Sequence, residues 1–486
     1  MVMSENKVKK PHYVRNTLLV LLAAFLFVQA VRHAMMNSDR DKYMGHGFEY
    51  MNGYSSTDFS GYHVYDGEKL NLLDHSVSFH IEREEDMPVL DGAEACYPLY
   101  NAIALSVYDN IAEIEKDIWK QAENEMNSRK ADLDQELMDV YYCNGKYVSF
   151  TNTVRAYDRL IRGDVDIVFG ARPSANQRRD ATYMYEQIET LPIGREAFVF
   201  FVEEDNPVES LSSEQVRAIY HGDITNWREV GGKNQEIIAF QRPEDSGSQV
   251  VMKYFMGDVS LKEPKTFEYD SAMGGVVKQV AQYHNERGAL GYTFRYFLNS
   301  LQQETHVKML KIDGIEPSVE NIRNGTYPII VDVVAARLVS NQKENVCNLL
   351  DFLLSDDGQK LIEKNGYAPL GDRKTGSRIE NELPDSYEVY RGSDENGEWE
   401  IQLFPQPEDY WARLFILKHD DQTVKGQIGT YINEDGSENF DLFDHRFLFE
   451  INADVNDEKI VIQDLIYNKS DILLPSQGTV LTKEEQ

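Results

Sequence analysis

The chain has 486 residues and a mass of 55.9 kDa, enough for roughly three average domains and more than one buried core. Hydrophobic residues make up 42% and aromatics 11%, which fits folded globular material and excludes a disordered tail or a collagen-like fibre. With 49 basic and 82 acidic side chains the formal charge is −33, which excludes a nucleic-acid binder that relies on a basic surface but leaves room for a small-anion site built locally from backbone N–H groups and one or two arginines.

Along the chain, Lys7, Lys9, Lys10 and Arg15 precede a short apolar run from Thr17 to Val31, the pattern of an export segment whose basic flank stays in the cytoplasm. Residues 1–36 are therefore expected to be a signal peptide or membrane anchor, with Val28-Gln29-Ala30 as a candidate cleavage site. Residues 37–86 are polar and read as an extracytoplasmic spacer, with alternation at Val77, Phe79 and Ile81 predicting a short strand. From 87 to 370 short apolar runs alternate with amphipathic stretches, the pattern of an α/β domain. Strands are predicted at Val165–Phe169, Ala197–Val202 and Glu236–Phe240, and helices at Tyr97–Tyr108, Val154–Arg162, Ser213–Tyr220, Gly275–Asn285 and Glu344–Leu354. Residues 371–486 carry 26 acidic against 11 basic side chains and predict a small β-rich domain, with strands at Glu398–Leu403, Ala412–Lys418 and Arg446–Ile451. Cys96, Cys143 and Cys347 lie too far apart for a disulfide scaffold or a CxxC site; buried free thiols are expected, with a Cys96–Cys143 bridge as the alternative.

The strongest local signal is the run QRPEDSGSQ at 241–249. It follows a predicted strand and leads into the apolar-periodic Val250–Met256, so it places the N–H groups of Ser246, Gly247 and Ser248 at the positive end of a helix. Gly247 lets the backbone approach a ligand, and Arg242 offers a bidentate fork. The competing reading is a plain serine N-cap. A second turn of this kind surrounds Gly92, Ala93 and Glu94, where Pro98 suits the first turn of the following helix. Thr151-Asn152-Thr153 opens a third helix.

Several stretches, in order, resemble the phosphate-type solute-binding proteins of ABC transporters. They are MPVLDGAEACYPLY at 87–100, LIRGDVDIVFGARPS at 160–174, Leu191–Phe201, Ile219–Trp227, the Arg242–Gln249 loop, Gly288–Tyr292, Asn324–Pro328 and Asp357–Leu370. The resemblance implies a two-lobed type 2 periplasmic-binding-protein fold over 87–370, with the acidic β-rich domain outside it. The first lobe would be about 87–195 plus 292–370, and the second the stretch between. It implies an oxyanion ligand, phosphate or a relative, held by Ala93, Glu94, Thr153, Arg172, Arg242, Ser246, Gly247 and Ser248. It also implies an ABC permease as membrane partner and no cofactor, while the acidic charge argues against nucleic acid and the amino-terminal segment places the rest of the chain on the outer face of the cell membrane, or secreted or periplasmic if that segment is cleaved. Two positions depart from the family pattern. Glu94 stands where a hydroxyl is expected, and Arg172 stands where an acceptor aspartate is usual.

Enzymatic alternatives lack their motifs. Neither Ser246 nor Ser248 sits in Gly-x-Ser-x-Gly beside His221 or His284, no His-Glu-x-x-His is present, and Gly232-Lys233 lacks the glycine five residues upstream, where Trp227 stands. Ser393–Gly397 resembles a calcium loop, but Gly392 and Leu403 occupy its first and last ligand positions. The alternative to transport is a membrane-anchored surface receptor or interaction protein that kept the scaffold.

Overall fold

The computed structural model describes residues 59–128, 133–264, 288–301, 306–371, 376–406, 412–432, 438–444 and 448–484. The expected export segment, the first part of the spacer, the helix at 275–285 and His284 lie outside the described residues. Among the described residues no helix is long and apolar enough to cross a membrane.

A mixed sheet runs through the α/β domain. Its strands are β1 (Leu90–Gly92), β2 (Ile167–Gly170), β3 (Ile188–Glu203), β5 (Ile238–Ala239), β6 (Ala289–Phe294) and β9 (Ile330–Leu338), in the order β1-β2-β9-β3-β6-β5. Two short strands, β4 (Ser210–Leu211) and β8 (Lys311–Ile312), pair separately, while β7 (Val307–Met309) and β10 (Arg378–Ile379) join β3 from its sides. The predicted strands fall within a few residues of β2, β3 and β5, and Glu344–Leu354 is a helix over its whole predicted length.

Strand β3 is the spine. Its 16 residues, mostly buried, pair antiparallel with β9 from Ile188 to Ala197 and then with β6 from Phe198 to Val202. The first half belongs to one lobe and the second half to the other, so β3 and β9 are the two crossing strands. Pro192, which has no N–H to donate, sits where the β3–β9 register shifts before Gly194. Each lobe has its own apolar core: one around Leu99, Tyr100, Ile103 and Phe169, the other around Phe200, Tyr220, Trp227 and Met252. The expected spacer needs correcting over its described part. Phe59, Val64, Val77 and Ile81 are buried in the first lobe's core, and the predicted strand at 77–81 reduces to one bridge, Ile81 to Tyr108. Here the alternation of apolar residues seats a loop on the lobe and builds no ladder.

The three thiols are free, Cys96 and Cys143 being buried, so the alternative bridge does not form. Burial pushes the Cys96 thiol up to about 12.

The carboxyl-terminal region is a closed barrel. Among the described residues its strands are β11 (Glu388–Asp394), β12 (Gly397–Leu403), β13 (Ala412–His419), β14 (Gln422–Ile432), β15 (Glu438–Asp444), β16 (Phe449–Val455), β17 (Lys459–Asn468) and β18 (Val480–Lys483), each antiparallel to the next. β18 returns to β11 through Tyr390↔Lys483 and Arg391↔Thr482. Gly392 lies against the Val480 carbonyl at this closure, where a Cβ would collide. Trp399, Phe415, Phe449 and Ile460 fill the interior, each at most 1% exposed.

The supposed calcium loop is the β11–β12 turn. Asp394 there accepts N–H bonds from Asn396 (2.8 Å) and Ser476 (2.7 Å) and a hydroxyl bond from Thr479 (3.1 Å). Partial burial alone would raise its pKa, but these donors win and hold it at about 2, below the ordinary 3.8. A depressed carboxylate stabilises the fold above its ordinary pKa and loses that contribution as pH falls from about 4 toward 2. Asp394→Asn is expected to lower barrel stability by about 1 kcal/mol at neutral pH, solvent screening allowed for, and to flatten the stability profile between pH 4 and 2. Denaturant unfolding across that range measures it, and an unchanged slope would refute it.

Candidate functional site: an anion cradle between two lobes

The second lobe contributes the Arg242–Gln249 loop. β5 ends just before it, and the ten-residue helix Gly247–Met256 follows. Ser246 is that helix's N-cap. Its Oγ accepts from the Gln249 N–H at 3.4 Å and donates to the Pro243 carbonyl at 2.9 Å, so its hydroxyl serves the turn. The capping reading and the cradle reading coexist here, because the cap is what aims the first N–H groups outward. The Arg242 N–H donates to Tyr292 Oη (3.1 Å) and Gln249 Oε1 (3.2 Å), which fixes the loop's base to β6. Its guanidinium lies 3.3 Å from Ser248 Oγ, and both side chains are buried. Arg242, Gly247 and Ser248 are therefore gathered at one helix start.

The first lobe contributes three segments, two of which, at Thr153 and Ala171, lie against Gly247. Thr153 is buried at the first position of the helix Thr153–Arg162, which Asn152 caps through the Arg155 N–H at 2.9 Å. Ala171 follows β2. Glu94, 9% exposed, opens the one-turn segment Glu94–Cys96 that runs into the helix Tyr97–Val107. One buried ion pair locks this side. Asp91, fully buried, pairs with Arg159 and accepts from the Thr151 N–H (3.0 Å) and Thr151 hydroxyl (2.9 Å). Loop 91–95, Thr151 and the helix start at Thr153 are thereby tied to one another.

The lobes touch across the cleft. A Cβ built on Gly247 would lie 3.3 Å from Thr153 Oγ1 and 3.4 Å from the Ala171 Cβ. Asn176 donates to Asp245 Oδ1 at 3.0 Å, and Gln177 to the Asp245 carbonyl at 3.5 Å. Asn176 and Gln177 sit on the helix Ala175–Tyr183, started by a reciprocal capping box between Ser174 and Gln177. Beside this contact a small apolar cavity of about 20 Å³ opens between Ala93, Ala95, Ala171, Val331 and Val333, with Glu196 and Asp332 on its walls. Glu196 is buried at the crossing point. Burial raises its pKa against the pull of Arg295 (3.2 Å) and the N–H groups of Ala197 and Tyr296.

Two expected residues have partners within the protein. Ala93 donates its N–H to the Phe169 carbonyl at 2.8 Å, so that N–H belongs to the sheet. Arg172 bonds Glu380 (2.6 Å), Thr190 (2.7 Å) and Asp332 (3.0 Å), so its charge is matched within the protein. Sequence reasoning missed Asp91, Arg159, Asn176, Gln177, Asp332 and Glu380. Of these only the Ser174-x-x-Gln177 pattern announced itself locally, as a capping box; the others depend on pairings 68 to 208 residues apart.

The family model described as a PBP superfamily domain matches residues 126–357, just under half of the chain. The phosphate-binding protein PstS of Bacillus subtilis (strain 168) is 30% identical over 178 residues, covering 36% of this chain and 55% of that protein. The phosphate-binding protein PstS of Borreliella burgdorferi is 24% identical over 178 residues, covering 35% and 62%. The chain thus spans less than two thirds of the length of these relatives. A solved ABC-type phosphate transport receptor from Vibrio cholerae is 20% identical, with 57% of this chain and 98% of that one covered at a TM-score of 0.37.

Two substitutions test the site's assembly. Gly247→Val places methyl groups against Thr153 and Ala171 and is expected to hold the lobes apart, lowering the affinity for any cleft ligand at least tenfold with little change in Tm; small-angle scattering would report the opening, and an unaltered profile would refute it. Asp91→Ala leaves Arg159 buried without its countercharge and is expected to cost about 3–5 kcal/mol in denaturant unfolding. A loss below 1 kcal/mol would mean that the pair is not a lock. The two-lobed α/β domain thus matches the PBP superfamily model over residues 126–357, is similar in sequence to phosphate-binding PstS proteins, and is followed toward the carboxyl end by a closed β-barrel.

Proposed function

We propose that the chain captures phosphate or a related oxyanion outside the cytoplasm and presents it to an ABC permease. The observation that carries this reading is the helix start Ser246–Ser248, backed by Arg242 and pressed against Thr153 of the opposite lobe. A helix N-terminus offers N–H groups and a positive dipole end to an anion, and a guanidinium adds a full charge. Neither lobe alone completes such a cradle. The ligand therefore has more contacts in the closed arrangement than in the open one, which is the differential affinity that drives closure. The similarity to phosphate-binding relatives supports phosphate as the first ligand to test, and the export pattern at 1–36 supports an extracytoplasmic location on or beyond the membrane. In this reading Ala93 and Arg172 shape the cleft, while Arg242, Gly247, Ser248 and Thr153 meet the ligand.

Glu94 is the residue that most distinguishes this cleft. A carboxylate facing a phosphate repels it unless a proton is shared between them. Glu94→Thr is expected to tighten phosphate binding several-fold at pH 8, where the ligand is mainly dianionic; unchanged affinity would mean that the carboxylate faces away.

Calorimetric titration of the full chain with phosphate and then sulfate, after stripping bound ligand, tests the reading as a whole. Binding at micromolar or tighter affinity is expected, with a loss of at least 100-fold in Arg242→Ala. No heat with either anion, or equal affinity in the variant, would overturn it.

A further inference from the structure

The closing face of the first lobe is held by a residue that comes from outside the binding domain. Ala171 meets Gly247, and Asn176 and Gln177 bond Asp245, so the segment from 171 to 177 carries the first lobe's contacts with the second. Arg172 lies inside that segment. Its Nη1 donates to Glu380 Oε1 at 2.6 Å and to Thr190 Oγ1 at 2.7 Å, and its Nη2 to Asp332 Oδ2 at 3.0 Å. The Thr190 hydroxyl donates in turn to Glu380 Oε1 at 2.6 Å.

Glu380 follows β10, on the linker that leads to the barrel, and its side chain is 1% exposed. The linker is stitched to the first lobe. The Glu380 N–H donates to the Ile188 carbonyl, and Asn381 bonds Thr182 Oγ1 (3.0 Å), the Glu186 carbonyl (2.8 Å) and the Ile188 N–H (2.9 Å). The barrel is seated on the same stretch. Lys425 Nζ reaches Glu186 at 2.6 Å, and Phe404 packs on the Tyr185 ring at 4.8 Å between centroids. Tyr185 holds a left-handed backbone (φ 51°), a conformation that an aromatic residue keeps only where its surroundings fix it.

We propose that Glu380 is a positioning residue for the cleft: it neutralises Arg172, lowers the positive potential at the closing face, and so lets the carboxyl-terminal extension set oxyanion affinity. This rests on the oxyanion reading of the cleft. The argument is electrostatic. Arg172 is matched by Asp332 and the buried Glu380, and Arg378 lies 3.8 Å from the other Glu380 oxygen, so the cluster is balanced and removing the Glu380 charge leaves it net positive beside the lobe contact. A unit charge roughly 10 Å from an anion, at an effective dielectric between water and protein interior, changes affinity by about three- to tenfold.

Glu380→Gln keeps the Oε1 acceptor for Arg172 and Thr190 and removes only the charge. Calorimetry on the full chain at low ionic strength is expected to show phosphate bound about three- to tenfold more tightly than by the wild type, with the gain shrinking as salt is raised toward 1 M. Glu380→Asp, which keeps the charge, is expected to stay within about twofold of the wild type. A purely structural role predicts the opposite sign, because loosening the closing face weakens binding. Unchanged or weaker phosphate binding in Glu380→Gln, with the wild type binding normally, overturns this inference alone. A wild type that binds neither phosphate nor sulfate overturns the reading of the cleft and this inference with it.

Discussion

Both lobes depend on the continuity of one strand. β3 pairs with β9 along its first half and with β6 along its second, so a single strand carries the backbone ladder of one lobe into the other. A ladder stiffens a chain against stretching and shear but tolerates twist. Two crossing strands that share this ladder permit rotation of lobe against lobe and resist sliding. The lining of the crossing point follows from that constraint. Glu196 sits where β3 changes partners, and its carboxylate collects Arg295 and two backbone N–H groups, so a charge that would be costly alone becomes a joint between the strands. The lobes meet at Gly247 and Thr153 across this joint.

The anion site proposed for a chain of net charge −33 is not a contradiction, because the field that matters is local. Around the cleft the basic groups are divided between two tasks. Arg159 and Arg295 neutralise the buried carboxylates of Asp91 and Glu196 and hold backbone segments in place. Arg242 lies in the loop that faces the opposite lobe. Arg172 falls between these groups: its position in the chain suggests a ligand contact, and its hydrogen bonds tie it to Glu380, Thr190 and Asp332. The acidic surplus lies partly in the barrel, whose outer face is solvated while its interior is apolar.

How much of this was legible in the residues depends on the range of the interaction. The helix start at Ser246–Ser248 was readable because strand, small residues and helix are contiguous, and a cap with its dipole is a local device. The two-lobed α/β class was readable from alternating apolar runs and from the ordered family resemblance. The β-rich character of the tail was legible from strand-like segments, but its closure was not. Nothing in the sequence announces that Tyr390 pairs with Lys483, although Gly392 at that closure has no room for a side chain. The spacer reading failed for the same reason. Polar composition hid four apolar residues, Phe59, Val64, Val77 and Ile81, whose partners lie in the first lobe's core. Arg172 and Ala93 were read as ligand contacts because they stand in the right loops; the protein partners they hold in the fold, Glu380 and Phe169, become neighbours only in the folded chain.

The seat of the barrel has a mechanical consequence. Lys425, Phe404 and the linker residues Glu380 and Asn381 all grip the stretch from Thr182 to Thr190, which belongs to the first lobe and enters β3. In the proposed closure the barrel and the first lobe would turn together as one heavy body, with the second lobe as the light arm. A partner that grasps the barrel holds the stationary side of the hinge and feels none of the stroke, whereas a partner that reads the second lobe relative to the barrel reads the full angle of closure. The barrel would then be a fixed handle against which the state of the cleft could be gauged from outside.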